Sequence, residues 1–124
     1  MKTFLISGAM LFAIASSAQK TIEISDLPAP ALTFIEKYFS GVPVKKAKSN
    51  SKGFEVKLAD NTEIEFRKDG SYREVDGKNK PISTGFIDPK IISYVSRHYP
   101  KRKITHIDYG KKNVDVDLTG KLDL

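Results

Sequence analysis

Sliding the sequence sixty residues along itself lays one pattern of apolar side chains on another, and this internal match predicts a fold made of two similar units. Leu27 falls on Ile87, Ala31 on Ile91, Leu32 on Ile92, Phe34 on Tyr94, Ile35 on Val95, Lys37 on Arg97 and Phe39 on Tyr99. The match continues through Val44 and Ile104, Ala47 and Ile107, Phe54 and Val114, Val56 and Val116, and Leu58 and Leu118. After that the second copy is two residues shorter, so Ile64 and Phe66 correspond to Leu122 and Leu124.

Each copy opens with helical spacing and goes on with strand spacing. Ala31, Phe34, Ile35, Tyr38 and Phe39 lie on one stripe of a helix, with Asp26 or Leu27 as the expected N-cap, Pro28 and Pro30 in the first turn, and Gly41 as the left-handed exit. The second copy offers Asp88 as cap, Pro89 at the first helical position, a stripe of Ile91, Tyr94, Val95, His98 and Tyr99, and Pro100 as terminator. Phe54, Val56 and Leu58 then alternate with Glu55, Lys57 and Ala59, and Ile64 and Phe66 with Glu63, Glu65 and Arg67, which is the period of half-buried antiparallel strands. Asp60-Asn61 and Asp69-Gly70 are the expected turns between them. Val44–Ser49 and Tyr72–Val75 read as flanking strands, and Asp76–Thr84 as a polar connector. Ile104–Tyr109, Val114–Leu118 and Lys121–Leu124 read as the strands of the second copy.

The expectation is an α+β fold. Two tandem helix-plus-antiparallel-sheet repeats, about 26–77 and about 86–124, form one curved sheet of about seven strands with two helices on one face. A single helix per copy covers one side of its strands, so the opposite, charged side should stay in water.

The first eighteen residues have the three parts of a secretory signal: Lys2, an apolar run from Phe4 to Ala15, and the small residues Ser16-Ser17-Ala18. About a dozen apolar residues are too few for a bilayer core that needs roughly 20, so no membrane span is expected in the mature chain. Residues 19–124 are long enough for one domain with one core. There is no cysteine, which excludes a disulfide framework, a thiol nucleophile and a thiolate metal site. The net charge is +6, and the loss of Lys2 with the signal leaves +5. Export to the periplasm or beyond makes nucleic acid an unsuitable partner for that charge.

Catalytic templates are missing: no Gly-rich phosphate loop, no G-x-S-x-G elbow, no H-E-x-x-H helix and no EF-hand loop. No enzyme activity and no cofactor is therefore expected. His98 takes the stripe position that Tyr38 fills in the first copy, which makes it a core-edge residue. His106 sits in a strand beside Lys103 and Thr105, with no second histidine at ligand spacing. Asp115, Asp117 and Asp123 fall on the open face of one hairpin and are weak candidates for a Ca²⁺ site. The broader candidate is a partner-binding surface of mixed sign, made of Glu55, Lys57, Glu63, Glu65, Arg67, Arg73, Asp115 and Asp117.

Several of these segments together resemble one family. Leu27-Pro28 opens a helix that continues as Phe34-Ile35-x-Lys37-Tyr38-Phe39. Phe54-Glu55-Val56-Lys57-Leu58, Ile64-Glu65-Phe66, Asp69-Gly70-Ser71-Tyr72-x-x-Val75-Asp76-Gly77 and Ile91-Ile92-Ser93-Tyr94-Val95 follow. The set is similar to the PepSY-like, beta-lactamase-inhibitor-like family of exported bacterial proteins over nearly all of residues 19–124. The resemblance implies helices on one side of a joined sheet and the other side free to meet a partner. It departs from the family pattern at Tyr72, where tryptophan is frequent, and in lacking a last strand in the second copy. The expected function is an exported, non-catalytic binding module for a protein or peptide of the cell envelope, inhibitor-like in form. The alternative is a Ca²⁺-responsive or anionic-polymer-binding envelope protein.

Overall fold

The computed structural model describes residues 19–120 and 122–124; the expected signal peptide, residues 1–18, and Lys121 lie outside the described residues. Among the described residues the order is β1 (Lys20–Ile22), α1 (Ala29–Tyr38), β2 (Val44–Asn50), β3 (Gly53–Leu58), β4 (Glu63–Arg67), β5 (Tyr72–Asp76), α2 (Pro89–His98), β6 (Ile104–Tyr109), β7 (Val114–Leu118) and β8 (Leu122–Asp123). The strands form one antiparallel sheet in sequence order, β1 to β8.

The alternation of apolar and polar residues sets which face is dry. Ile22, Ala47, Val56, Ile64, Val75, Ile107 and Val116 oppose one another in register from β1 to β7. Four of these, Val56, Ile64, Val75 and Ile107, are fully buried. Ala31 and Ile35 of α1 and Val95 of α2 bury into the same cluster, so both helices pack on this side of the sheet. Phe34 adds an aromatic wedge, with its ring 4.9 Å from Tyr72, 5.0 Å from Phe86 and 5.7 Å from Phe66. Such pairs add roughly 0.5–1.5 kcal/mol each beyond their area burial.

Three expectations need correction. The sheet has eight strands, not seven, because β1 pairs with β2 through Lys20, Thr21 and Ile22; three residues are too few for an alternation to show. The N-cap of α1 is Pro28, not Asp26 or Leu27. Leu27 precedes a proline and stays extended, while the Asp26 carboxylate instead accepts from the Glu23 amide, at 3.1 Å, and caps the short 3₁₀ turn Ile24–Asp26. His98 is exposed rather than core-edge: its ring stacks on Tyr94 at 4.2 Å and its Nδ1 pairs with the Tyr94 carbonyl at 3.0 Å. Tyr94 itself is 51% exposed, so the inward stripe of α2 is Ile91, Ile92, Val95 and Tyr99. The aromatic wall that holds Phe34 has no counterpart around Tyr94 among the described residues.

Other local expectations are met. Asp88 Oδ1 accepts from the Lys90 amide at 2.9 Å and Pro89 opens α2. Asn61 and Gly70 take positive φ, 75° and 89°, in the turns after β3 and β4. β2 carries an extra residue at Lys45 against β3, and β6 carries one at Thr105 against β7. These two bulges fall sixty residues apart.

Candidate functional site

The bare face of the sheet carries two cross-strand rows of polar side chains. One runs Lys46, Lys57, Glu63, Asp76, His106, Asp117 and Asp123 from β2 to β8. The other runs Lys48, Glu55, Glu65, Glu74, Asp108 and Asp115 from β2 to β7. The second row is five carboxylates in succession after its lysine. Strands lie about 4.7–4.9 Å apart and like charges directly opposite are destabilising, so folding alone gives no reason to collect acid here. In a chain of net charge +6 the acid is concentrated on this face.

The Arg73 guanidinium holds the middle of that row together. β5 has a bulge opposite Glu65 and Phe66, which leaves Arg73 and Glu74 both on the open side. Arg73 reaches Asp108 at 2.9 Å, Glu65 at 3.0 Å and Glu74 at 3.4 Å. Its hydrogen bond to Glu65 and the charges around it push its already high pKa further up. Exposed pairs of this kind are worth about 0–1 kcal/mol each, so Arg73 offsets repulsion more than it adds stability.

His106 is the second hub. Its Nε2 is 2.6 Å from Glu74 Oε2. Asp117 Oδ2 comes within 3.1 Å of Nδ1 but out of line for a hydrogen bond, so Nδ1 is buried without a partner. Burial draws the imidazole pKa down, but the Glu74 hydrogen bond and the charges of Glu74, Asp76 and Asp117 outweigh it and the net shift is upward. Glu74 is raised, first by burial and then by its acidic neighbours Glu65 and Asp108, against the pull of His106. Asp117 is raised by burial and by Asp123, its partner across β7 and β8.

Every residue expected to bind a partner lies on this face, but their surroundings differ. Glu65 and Arg73 are paired to each other, Glu63 is held by Lys78 at 3.2 Å and Lys57 at 3.8 Å, and Asp117 belongs to the His106 group. Arg67 is a structural tie: its guanidinium donates to the Tyr72 carbonyl at 2.7 Å and the Tyr109 carbonyl at 3.4 Å. Glu55 and Asp115 make no ion pair among the described residues and remain available. Asp117 and Asp123 are directly opposed, whereas Asp115 stands beside Asp108 in the other row. Sequence reasoning passed over Glu74, Asp76 and Asp108, and set His106 aside for want of a second histidine. The sixty-residue offset held the signal for two of them, since it sets His106 on Lys46 and Asp108 on Lys48, both open-face positions of β2.

Comparison with known proteins agrees with this architecture. A family model described as "Putative beta-lactamase-inhibitor-like, PepSY-like" matches residues 52–124. A solved structure from Bacteroides thetaiotaomicron, described as a putative calcium-regulated periplasmic protein, is 32% identical with a TM-score of 0.80, covering 86% of this chain and 87% of its own. Two from Bacteroides vulgatus are also similar. One, a putative periplasmic protein, is 27% identical with TM-score 0.80 over 86% of this chain and 87% of its own. The other, a putative periplasmic protein of unknown function, is 29% identical with TM-score 0.76 over 86% and 90%. No curated protein matches the chain. Among the described residues no helix is long and apolar enough to cross a membrane.

Proposed function

Because the chain belongs to the PepSY-like, putative beta-lactamase-inhibitor-like family, we propose that it is an exported periplasmic binding module, non-catalytic, that takes a protein or peptide on the open face of its sheet. The observation that carries this reading is the row Glu55, Glu65, Glu74, Asp108 and Asp115. Carboxylates aligned against their mutual repulsion suit a partner that brings positive charge. The fitting partner is a segment bearing lysine or arginine, while an anionic polymer would be repelled from this side. The expected signal peptide at 1–18 and the periplasmic relatives support export.

We read the two halves as copies of one unit, supported by the helices, bulges and caps that recur sixty residues apart. On that reading the copies diverged in charge. Lys46, Lys48 and Lys57 correspond to His106, Asp108 and Asp117, which leaves the β2–β3 side basic and the β6–β8 side acidic.

Charge reversal tests the proposal. Glu55→Lys with Asp115→Lys should abolish capture of the partner from an envelope extract while leaving the melting temperature nearly unchanged, since neither carboxylate has an ion pair to lose among the described residues. Reversal of Lys90 and Arg97 on α2 should leave capture intact. Equal capture by all three proteins would count against the open face.

A second reading, a Ca²⁺-responsive envelope protein, is favoured by the relative described as calcium-regulated and by the opposed pair Asp117 and Asp123. Calcium heat that vanishes with Asp117→Asn and Asp123→Asn would support it over peptide capture.

A further inference from the structure

Among the described residues one group brings three metal-ligating side chains together: Glu74, Asp76 and His106, with one donor atom of each within 4.8 Å of the others. Their positions follow from the seam between β5 and β6. Glu74 and Asp76 are two apart on β5 and so share the open side, and His106 lies directly opposite Asp76. The side chains are sheltered without being closed off, at 19% exposure for Glu74, 30% for Asp76 and 17% for His106.

The two ring nitrogens of His106 face different surroundings. Nε2 points at the Glu74 carboxylate, 2.6 Å away, while Nδ1 is buried, unpartnered and 3.1 Å from Asp117 Oδ2. In metal-bound histidines one nitrogen sits on the ion and the other donates to a carboxylate that fixes the ring, and a small rotation of Asp117 would bring its Oδ2 into line for that bond. We propose that Glu74, Asp76 and His106 bind a single transition-metal dication of the Zn²⁺ type, with Asp117 as the positioning residue behind the imidazole.

The donor set selects the ion. Ca²⁺ and Mg²⁺ take oxygen ligands, whereas an imidazole with two carboxylates suits Zn²⁺, Cu²⁺ or Ni²⁺. Zinc bonds of about 2.0–2.2 Å at tetrahedral angles need donors about 3.3–3.6 Å apart. The Glu74–His106 contact must therefore open and Asp76 must swing inward by side-chain rotation, giving up its bonds to the Lys78 amide at 2.8 Å and ammonium at 3.5 Å. Water from the open side would complete the shell. The ion would also neutralise the Glu74 part of the acidic row, so its binding should stabilise the fold. This site does not depend on partner capture, and its three ligands are distinct from the Asp115, Asp117 and Asp123 candidates, although Asp117 stands behind its imidazole.

Titration of the untagged protein with ZnCl₂, followed by calorimetry, should show one ion per chain at micromolar affinity or better, with CaCl₂ far weaker in the same assay. His106→Ala should weaken zinc binding by more than about tenfold, the scale on which even supporting residues of a metal site act. Glu36→Gln, exposed on α1 and away from the open face, should leave it unchanged. Because His106→Ala could disturb the seam, the imidazole ¹⁵N resonances of His106 in the unmodified protein give a second readout and should move on zinc addition. Zinc affinity unchanged in His106→Ala, zinc binding no tighter than calcium, or imidazole resonances that stay in place at saturation would each overturn the assignment.

Discussion

Replacing Ile107 with alanine should cost about 2–5 kcal/mol, the usual range for emptying a fully buried aliphatic site. Ile107 has no exposed surface and lies between Val75 and Val116 in the apolar row that crosses the sheet. For a domain of this size the loss corresponds to a fall in Tm of roughly 10–20 °C. The shape of the transition matters as much as its midpoint. β5 and β6 join the two halves through three residue pairs, and Ile107 is in the middle pair. With one core running through both halves, the variant should still melt in a single step, by calorimetry and by circular dichroism alike. Two separated transitions would mean that the halves have independent cores.

Gly53→Ala should be comparably damaging for a different reason. Gly53 opens β3 at φ 149°, and an added Cβ would overlap the Phe66 carbonyl oxygen of β4 and come within 2.9 Å of the Arg67 carbonyl carbon. Backbone strain of about 1–3 kcal/mol then adds to overpacking of about 1–3 kcal/mol, and neither can relax because the obstacle is main chain. Gly110→Ala is the control, as its Cβ would meet nothing nearer than 3.4 Å and no left-handed φ is involved. A urea midpoint for Gly53→Ala that matches that of Gly110→Ala would show that the β3–β4 pairing tolerates the side chain.

The fold was legible where one residue's spacing settled its neighbours. Proline and the i, i+3, i+4 stripe located both helices, with aspartate as the cap of the second alone, and alternation in Phe54–Leu58 and Ile64–Phe66 assigned their inward and outward faces. Legibility failed at the irregularities. Strict alternation from the buried Ile104 would have turned His106 and Asp108 inward, whereas the bulge at Thr105 keeps Ile104 and Thr105 both in the interior and so turns His106 and Asp108 to the open face. The bulge at Arg73 likewise lets two adjacent residues share the wet side. The cluster around His106 depends on the register between β5 and β6, a pairing across thirty or more residues of chain that no local pattern encodes. Arg67 shows the converse: alternation gave its face correctly, but only the structure shows its guanidinium tied to two backbone carbonyls.

Hydrogen–deuterium exchange on the captured complex tests the central claim most directly. Protection gained on binding should concentrate in β3 to β7, whose outward side chains form the carboxylate row, with α1 and α2 exchanging as in the free protein. Protection confined to the helices, with the strands unchanged, would contradict a partner seated on the open face.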